Sequence, residues 1–307
     1  MNNDGLSKRN RHKDVNICII LERNWRIMTL DEQIELLFTI DEGYLNPLKV
    51  ALTSIRQNNP GQAIRFWLIH ESITTQTIRE LQKLTDYLQF GFEAIEIDGS
   101  RWNSAKTEDR YPKEMYFRLL AGEILPKEMK RVIYLDPDIL VVNPLLELWQ
   151  TDLEGHMLAA ATHVGLTDVS TRVNQMRLDV DHAYYNSGVM VIDLDKAREI
   201  VKWSDIAQMI EKYNLLLFLP DQDILNHLYG KYTKEIPEEI WNYDTRKYMR
   251  YFTKSLTQHD IQWVMSHTVI LHFCGGPKPW DDKHDNRFTS LYLNYQNQLK
   301  RIEAVIK

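Results

Sequence analysis

Near the middle of the chain the apolar run Val132-Ile133-Tyr134-Leu135 stops at Asp136-Pro137-Asp138, and apolar residues resume at once from Ile139 to Val142. Two carboxylates between segments that read as buried are costly unless something offsets their charge, because an unpaired buried anion is strongly disfavoured. A divalent cation is the simplest compensation. In extended chain, residues i and i+2 project to the same side, so Asp136 and Asp138 can both reach one ion. An ordinary Asp-Pro-Asp turn accounts for the tripeptide equally well.

Three further segments carry chemistry. His272-Phe273-Cys274-Gly275-Gly276-Pro277-Lys278-Pro279-Trp280 offers two glycines that permit close backbone approach, with N–H groups that can face phosphate oxygens. Lys278 adds a positive charge for the same anion. His272 is a candidate imidazole ligand, and a mixed carboxylate-imidazole site suits Mn2+ better than Mg2+, which stays the second choice. The other two segments are Tyr185-Asn186-Ser187-Gly188-Val189-Met190-Val191-Ile192-Asp193 and Leu219-Pro220-Asp221-Gln222-Asp223-Ile224-Leu225-Asn226. Each has a bland explanation: a core histidine, a loop, a strand entered through a polar turn, and acids at a helix start favoured by its dipole. Together, and in this order, the four weigh more than any one.

The elements that must position these residues alternate. Ile34 to Ile40 reads as a strand, and Asn46-Pro47 opens a helix whose Leu48, Leu52 and Ile55 form the buried stripe. Asn59-Pro60-Gly61 breaks the chain before a second strand, Ile64 to Ile69. Thr74 or Thr75 caps a helix carrying Ile78, Leu81, Leu84 and Leu88 at spacings of three and four. Ala94 to Ile97 is a third strand, Met115 to Ile124 reads as helical, and Arg131 to Leu135 is a fourth strand ending at the aspartates. Met157 to Ala161, Val189 to Ile192 and Thr268 to Leu271 read as further strands. Lys196 to Tyr213 reads as one long helix and Asp221 to Leu228 as a short one. The alternation predicts an α/β fold with an open, mostly parallel sheet and helices on both faces. Such sheets bind ligands beyond the carboxyl ends of their strands, where the metal reading puts Asp136 and Asp138.

The 307 residues suit one large domain or two small ones, and the absence of internal repeats or low-complexity linkers favours one, over residues 33–307. A formal net charge of −6 argues against a general nucleic-acid binder. Cys18 and Cys274 alone give no disulfide framework, which points to a reducing, cytoplasmic setting. Near the start, Lys8 to Lys13 and the run Val15 to Leu21 mimic a signal peptide. Asn16 interrupts that run, though, and Glu22-Arg23-Asn24 stand where a cleavage site belongs. Residues 1–32 therefore read as a weakly ordered extension, or as a consequence of start-site choice.

From about Ile34 to Trp280 the chain resembles glycosyltransferase family 8. This family of retaining enzymes includes glycogenin and the bacterial lipopolysaccharide galactosyltransferases, and the likeness is strongest to its small bacterial members, among them the general stress protein A group. The motifs that carry it are Asp136-Pro137-Asp138, Asn186-Ser187-Gly188, Asp221-Gln222-Asp223 and the run from His272 to Trp280. The resemblance implies an A-type glycosyltransferase fold with a Rossmann-like sheet, and a UDP-sugar donor used with Mn2+. It implies that Asp136, Asp138 and His272 hold the metal, and that Asp41 and Tyr44 contact the uracil. By the same match Arg118 reaches the donor sugar side, Asn186, Asp221 and Gln222 line the reacting face, and Gly275 and Lys278 clamp the diphosphate. The implied reaction moves glucose or galactose to a saccharide, lipid-linked or protein glycan acceptor, in lipopolysaccharide or cell-surface glycan synthesis.

Two positions depart from the family. Gly43 stands where some members carry an Asn that touches the nucleotide, and His163 replaces an Asp found near the sugar in the lipopolysaccharide galactosyltransferases. The second departure leaves donor and acceptor identity open. Residues 281–307 mix Lys and Arg with Asp and Glu, so nothing there points to membrane attachment beyond the inner face of the membrane as a possible location. Two competing classes are a non-catalytic nucleotide-sugar-binding stress protein and a phosphatase of the haloacid-dehalogenase type. The latter also ends a strand in Asp-x-Asp, but that motif opens its fold, and it leaves the run from His272 to Trp280 unexplained.

Overall fold

Side chains alternate across the central strands so strictly that the sheet carries a separate apolar core on each face. In the computed structural model, residues 33–105, 107, 113–162, 173, 175–213, 217–282 and 285–307 are described. The strands among them are β1 (Ile34–Thr39), β2 (Ile64–His70), β3 (Gly91–Glu96), β4 (Arg131–Leu135) and β5 (Ile139–Val141). They continue with β6 (Leu158–Thr162), β7 (Tyr185–Asp193), β8 (Thr233–Ile236), β9 (Tyr243–Asp244) and β10 (Ile270–His272). Seven form one sheet in the order β3-β2-β1-β4-β7-β6-β8. The pairs β1–β2, β2–β3, β1–β4 and β6–β8 are parallel, while β7 runs antiparallel to both β4 and β6.

Leu36, Phe38, Phe66, Leu68, Ile133 and Leu135 face one core, and Leu37, Trp67, Ile69, Val132 and Tyr134 face the other. On the first face lie helix α1 (Leu45–Asn58), burying Leu48, Leu52 and Ile55, helix α2 (Thr75–Tyr87), and Leu299 of the C-terminal helix Thr289–Ile306. Thr74 is the cap of α2, accepting from the Thr77 N–H at 3.1 Å. On the second face lie the helices Leu194–Ile200 and Trp203–Tyr213, which bury Leu194, Ala197, Ile206, Met209 and Ile210. The α/β sheet with helices on both faces is thus the architecture expected.

Several boundaries differ from expectation. The single helix foreseen over Lys196 to Tyr213 is two, because Val201 is extended; beyond that break Trp203 packs edge-on against Trp102, centroids 4.6 Å apart. The third strand starts at Gly91 rather than Ala94. It is an edge strand and largely exposed, so apolar residues do not mark its limits. Met115 to Ile124 coils as a tight 3-10 segment, Lys113–Leu120, followed by one α-helical turn, Ala121–Ile124. Asn186-Ser187-Gly188 belongs to β7 itself, not to a turn before it. The expected extension over residues 1–32, and His163, lie outside the described residues. Among the described residues no helix is long and apolar enough to cross a membrane.

Two features of topology position the site. From β1 the chain builds β2 and β3 to one side and β4 to the other, so the carboxyl ends of β1 and β4 flank the switch in strand order. A second, three-stranded sheet, β5-β10-β9, then pairs β10 antiparallel to β5 with His272 opposite Ile139. That pairing brings a histidine late in the chain beside Asp138.

Candidate active site

Asp136 and Asp138 leave the carboxyl end of β4, and His272 closes β10. One ligand atom from each of the three lies within 4.8 Å of the others. His272 Nε2 is 3.2 Å from Asp138 Oδ1 and 3.7 Å from Asp136 Oδ2. The opposite nitrogen, Nδ1, is 2.7 Å from Asn242 Oδ1. Gly188 makes this approach possible, since a β-carbon there would collide with His272, Asp136 and Asn186. Its carbonyl accepts from the Asp136 N–H at 2.8 Å, tying β7 to the turn.

Each carboxylate has protein partners. Arg118 Nη1 and the Tyr134 hydroxyl donate to Asp136 Oδ1 at 2.7 and 2.8 Å. Arg118 is buried, stacks on the Tyr134 ring with its guanidinium carbon 4.3 Å from the centroid, and also lies 3.5 Å from Asp221 Oδ2. Asp138 contacts the Lys278 ammonium, which also donates to the Phe273 carbonyl at 2.9 Å. Burial alone would raise the Asp138 carboxyl, but Lys278 and His272 overcome it and hold the group well below the usual carboxylate range. For His272 burial works downward, while Cys274 and Asp138 prevail and raise it well above the ordinary imidazole value.

The residues matched to the reacting face sit on the other side of Arg118. Asp221 and Gln222 lie in the short helix Pro220–Ile224, both buried. Ser187 Oγ donates to Asp221 Oδ2 at 2.9 Å, and burial raises the Asp221 carboxyl against the opposing effect of Arg118. Asn186 Nδ2 donates to Gln222 Oε1 at 3.0 Å, and the Ser187 N–H donates to the same oxygen at 3.2 Å. Asp223 is engaged elsewhere, bound in bidentate fashion by Arg177 and by the Tyr184 hydroxyl.

The positions matched to the nucleotide lie after β1. Asp41 accepts from the Tyr44 N–H at 3.2 Å and so caps the turn Glu42–Tyr44. Tyr44 meets Trp280 edge-on with centroids 6.2 Å apart, and burial raises its hydroxyl while Lys278 acts in the opposite sense. Gly275 has φ +68°, a left-handed conformation that suits glycine, and its missing side chain leaves room for the Arg246 guanidinium. The structure therefore gathers Asp136, Asp138, His272, Lys278, Arg118 and Asp221 through direct contacts, with the Asn186–Gln222 pair joined to them through Ser187 and Asn242. Asp41 and Tyr44 border the group where Tyr44 meets Trp280, and Gly275 lies in the loop between His272 and Lys278.

Four residues at the site are not marked by sequence alone. Ser187 and Gly188 lie inside the motif that begins at Asn186, but their types alone point to no role. Tyr134 read as a core strand residue. Asn242 gave no signal at all, since it ends the short helix Glu238–Trp241 and looks like a helix terminus.

The donor set, two carboxylates and an imidazole whose Nδ1 is already engaged, fits a divalent cation of the Mn2+ or Mg2+ kind. The family model for glycosyl transferase family 8 matches residues 35–284. General stress protein A of Bacillus subtilis (strain 168) is 27% identical over 282 residues, covering 89% of this chain and 96% of that protein. A lipopolysaccharide 1,2-glucosyltransferase of Escherichia coli is 26% identical over 286 residues, covering 91% and 83%. The crystal structure of the galactosyltransferase LgtC, in complex with donor and acceptor sugar analogs, superposes with a TM-score of 0.74 at 23% identity. It covers 86% of this chain and 96% of the other, a likeness of fold.

Proposed function

The chain belongs to glycosyltransferase family 8, and on that premise we propose that it transfers a hexose, glucose or galactose, from a UDP-sugar to a saccharide or other glycan acceptor with retention at the anomeric carbon. Residues 33–307 act as one nucleotide-sugar domain in a cytoplasmic setting. The observation that carries the reading is the meeting of Asp136, Asp138 and His272 within 4.8 Å, beside Lys278 and beyond the carboxyl end of β4.

Asp136, Asp138 and His272 would hold the cation, Mn2+ by preference. Bound there, it would supply positive charge for the diphosphate leaving group. Lys278 and the N–H groups around Gly275 meet the same developing charge. Tyr44 and Asp41 take the uracil end of the donor. Arg118 fixes Asp136 on one side and Asp221 on the other, so it holds the metal side and the sugar side in register. Asn186 and Gln222 present amide groups to the sugar. The phosphatase alternative needs Asp136 as a free nucleophile, whereas Arg118 and Tyr134 both donate to its Oδ1.

The test is calorimetry of UDP binding, with and without Mn2+, followed by a panel of nucleotide sugars monitored for UDP release. Mn2+ should tighten UDP binding strongly, and Asp136→Ala or Asp138→Ala should abolish the difference. Equal UDP affinity with Mn2+ and with chelator would rule out the metal site.

A further inference from the structure

We propose that Asn242 is a positioning residue that fixes both the metal-facing nitrogen of His272 and the amide orientation of the reacting-face residues. This deepens the proposed function and rests on its metal site.

Four polar side chains run in series from the sugar side to the metal side. Gln222 Oε1 accepts from Asn186 Nδ2 at 3.0 Å, Asn186 Oδ1 accepts from Asn242 Nδ2 at 2.8 Å, and Asn242 Oδ1 meets His272 Nδ1 at 2.7 Å. An amide's oxygen and nitrogen are hard to tell apart by shape alone, so the polarity of such a series needs an anchor. Two backbone groups provide it. The Gly188 N–H points at Asn186 Oδ1 at 2.9 Å, and the Ser187 N–H points at Gln222 Oε1 at 3.2 Å. A backbone N–H only donates, so both of those atoms must be acceptor oxygens.

The rest follows by elimination. Asn186 turns its oxygen toward Asn242, so the Asn242 atom facing it must be the NH2 group. The remaining Asn242 atom is then its oxygen, and it faces His272 Nδ1, which must carry a hydrogen. That hydrogen stays on Nδ1 whether the ring is cationic or neutral, so the proton a bound cation would displace is the one on Nε2, the nitrogen 3.2 Å from Asp138 and 3.7 Å from Asp136. The series thus selects the ring nitrogen that can ligate a cation. Asn242 can hold this place because it is buried and fixed by its backbone. Its N–H donates to the Glu238 carbonyl at 3.0 Å, and the chain passes directly into β9, which pairs with β10. Partners of metal-ligating histidines that set the ring in this way typically matter 10–100-fold, roughly, to metal affinity.

Two substitutions separate the two halves of the role. Asn242→Asp still accepts from His272 Nδ1 but cannot donate to Asn186, whereas Asn242→Leu does neither. Mn2+ affinity in the presence of UDP is read from the free-ion EPR signal, and kcat and KM are measured alongside. The expected result is that Asn242→Asp binds Mn2+ within about 3-fold of the parent, or more tightly, yet loses about 10-fold in kcat. Asn242→Leu should lose about 10–100-fold in Mn2+ affinity as well. A purely structural role would move both variants together. Equal Mn2+ affinities for the two variants, or a parent-like Asn242→Leu, would overturn the inference. If Asn242→Leu does not fold, the Asp variant alone decides, because parent-like kcat or a 10-fold loss of Mn2+ affinity in it contradicts the assignment. Failure of the unsubstituted protein to bind Mn2+ would instead overturn the metal site, and this inference with it.

Discussion

Lys278 is the residue whose placement says most about charge in the site. Its ammonium contacts Asp138 and donates to the Phe273 carbonyl, while its own backbone N–H donates to Asp281 Oδ2 at 2.7 Å, so both ends of the residue are held. Asp138 raises the Lys278 pKa against the lowering effect of burial, which is the larger single influence, so the side chain stays cationic through the neutral range. A fixed cation next to a departing diphosphate faces a charge that grows as the bond breaks. In the proposed reaction it would therefore stabilise the transition state more than the bound donor. Lys278→Ala is expected to cost about 3 kcal/mol in the transition state, on the order of 10²-fold in kcat, by analogy with other anion-stabilising donors. The Michaelis constant for the UDP-sugar should shift far less. Steady-state kinetics that show a raised KM with an intact kcat would make Lys278 an anchor only.

At the scale of elements, the site depends on β7 carrying no side chain where β4 and β10 converge. A β-carbon on Gly188 would fall within contact-breaking range of the His272 ring and of Asp136 Oδ2, both of them proposed ligands. Gly188→Ala should therefore push the ligands apart, lowering Mn2+ affinity by at least about 10-fold, with an overpacking cost of about 1–3 kcal/mol. Metal titration together with a urea unfolding midpoint checks both parts; unchanged Mn2+ affinity would mean that the strands part without disturbing the ligands. Interior elements such as β1, β2 and β4 were legible from sequence because both their faces are buried, which leaves continuous apolar runs. The limits of β3 are not legible, because an edge strand needs no such run. β9 is two residues long and exists only through its pairing with β10, so no local pattern could announce it. Asn242 was invisible for the same reason: its partners are 30 and 56 residues away, and its own neighbours spell a helix end. Residues whose type alone suggests chemistry, the aspartates and His272, are legible in the sequence as candidates, and the structure brings them together; residues defined only by whom they touch are not legible.

Across the whole molecule, the site is assembled from both halves of one sheet and from the smaller sheet beside it. The turn after β1 brings Asp41 and Tyr44, β4 and β10 bring the proposed metal ligands, and β7 with the helix Pro220–Ile224 brings Asn186, Asp221 and Gln222. This division bears on stereochemistry. An inverting transfer needs a base placed to deprotonate the acceptor opposite the leaving group. The acids of the matched motifs are already committed: Asp136 to Arg118 and Tyr134, Asp138 to His272 and Lys278, Asp221 to Arg118 and Ser187, and Asp223 to Arg177 and Tyr184. The side chains matched to the sugar face and not bound up in ion pairs are amides, Asn186 and Gln222, which orient by hydrogen bonding and are poor bases. With no committed acid released to act as that base, attack on the same face as the departing diphosphate is the expected course, and a UDP-α-hexose should yield an α-linked product. Proton NMR on the first product formed reads this directly from the anomeric coupling constant. A β-linked product would require a base outside these motifs, and would overturn the placement of Asp221, Gln222 and Asn186 on the reacting face.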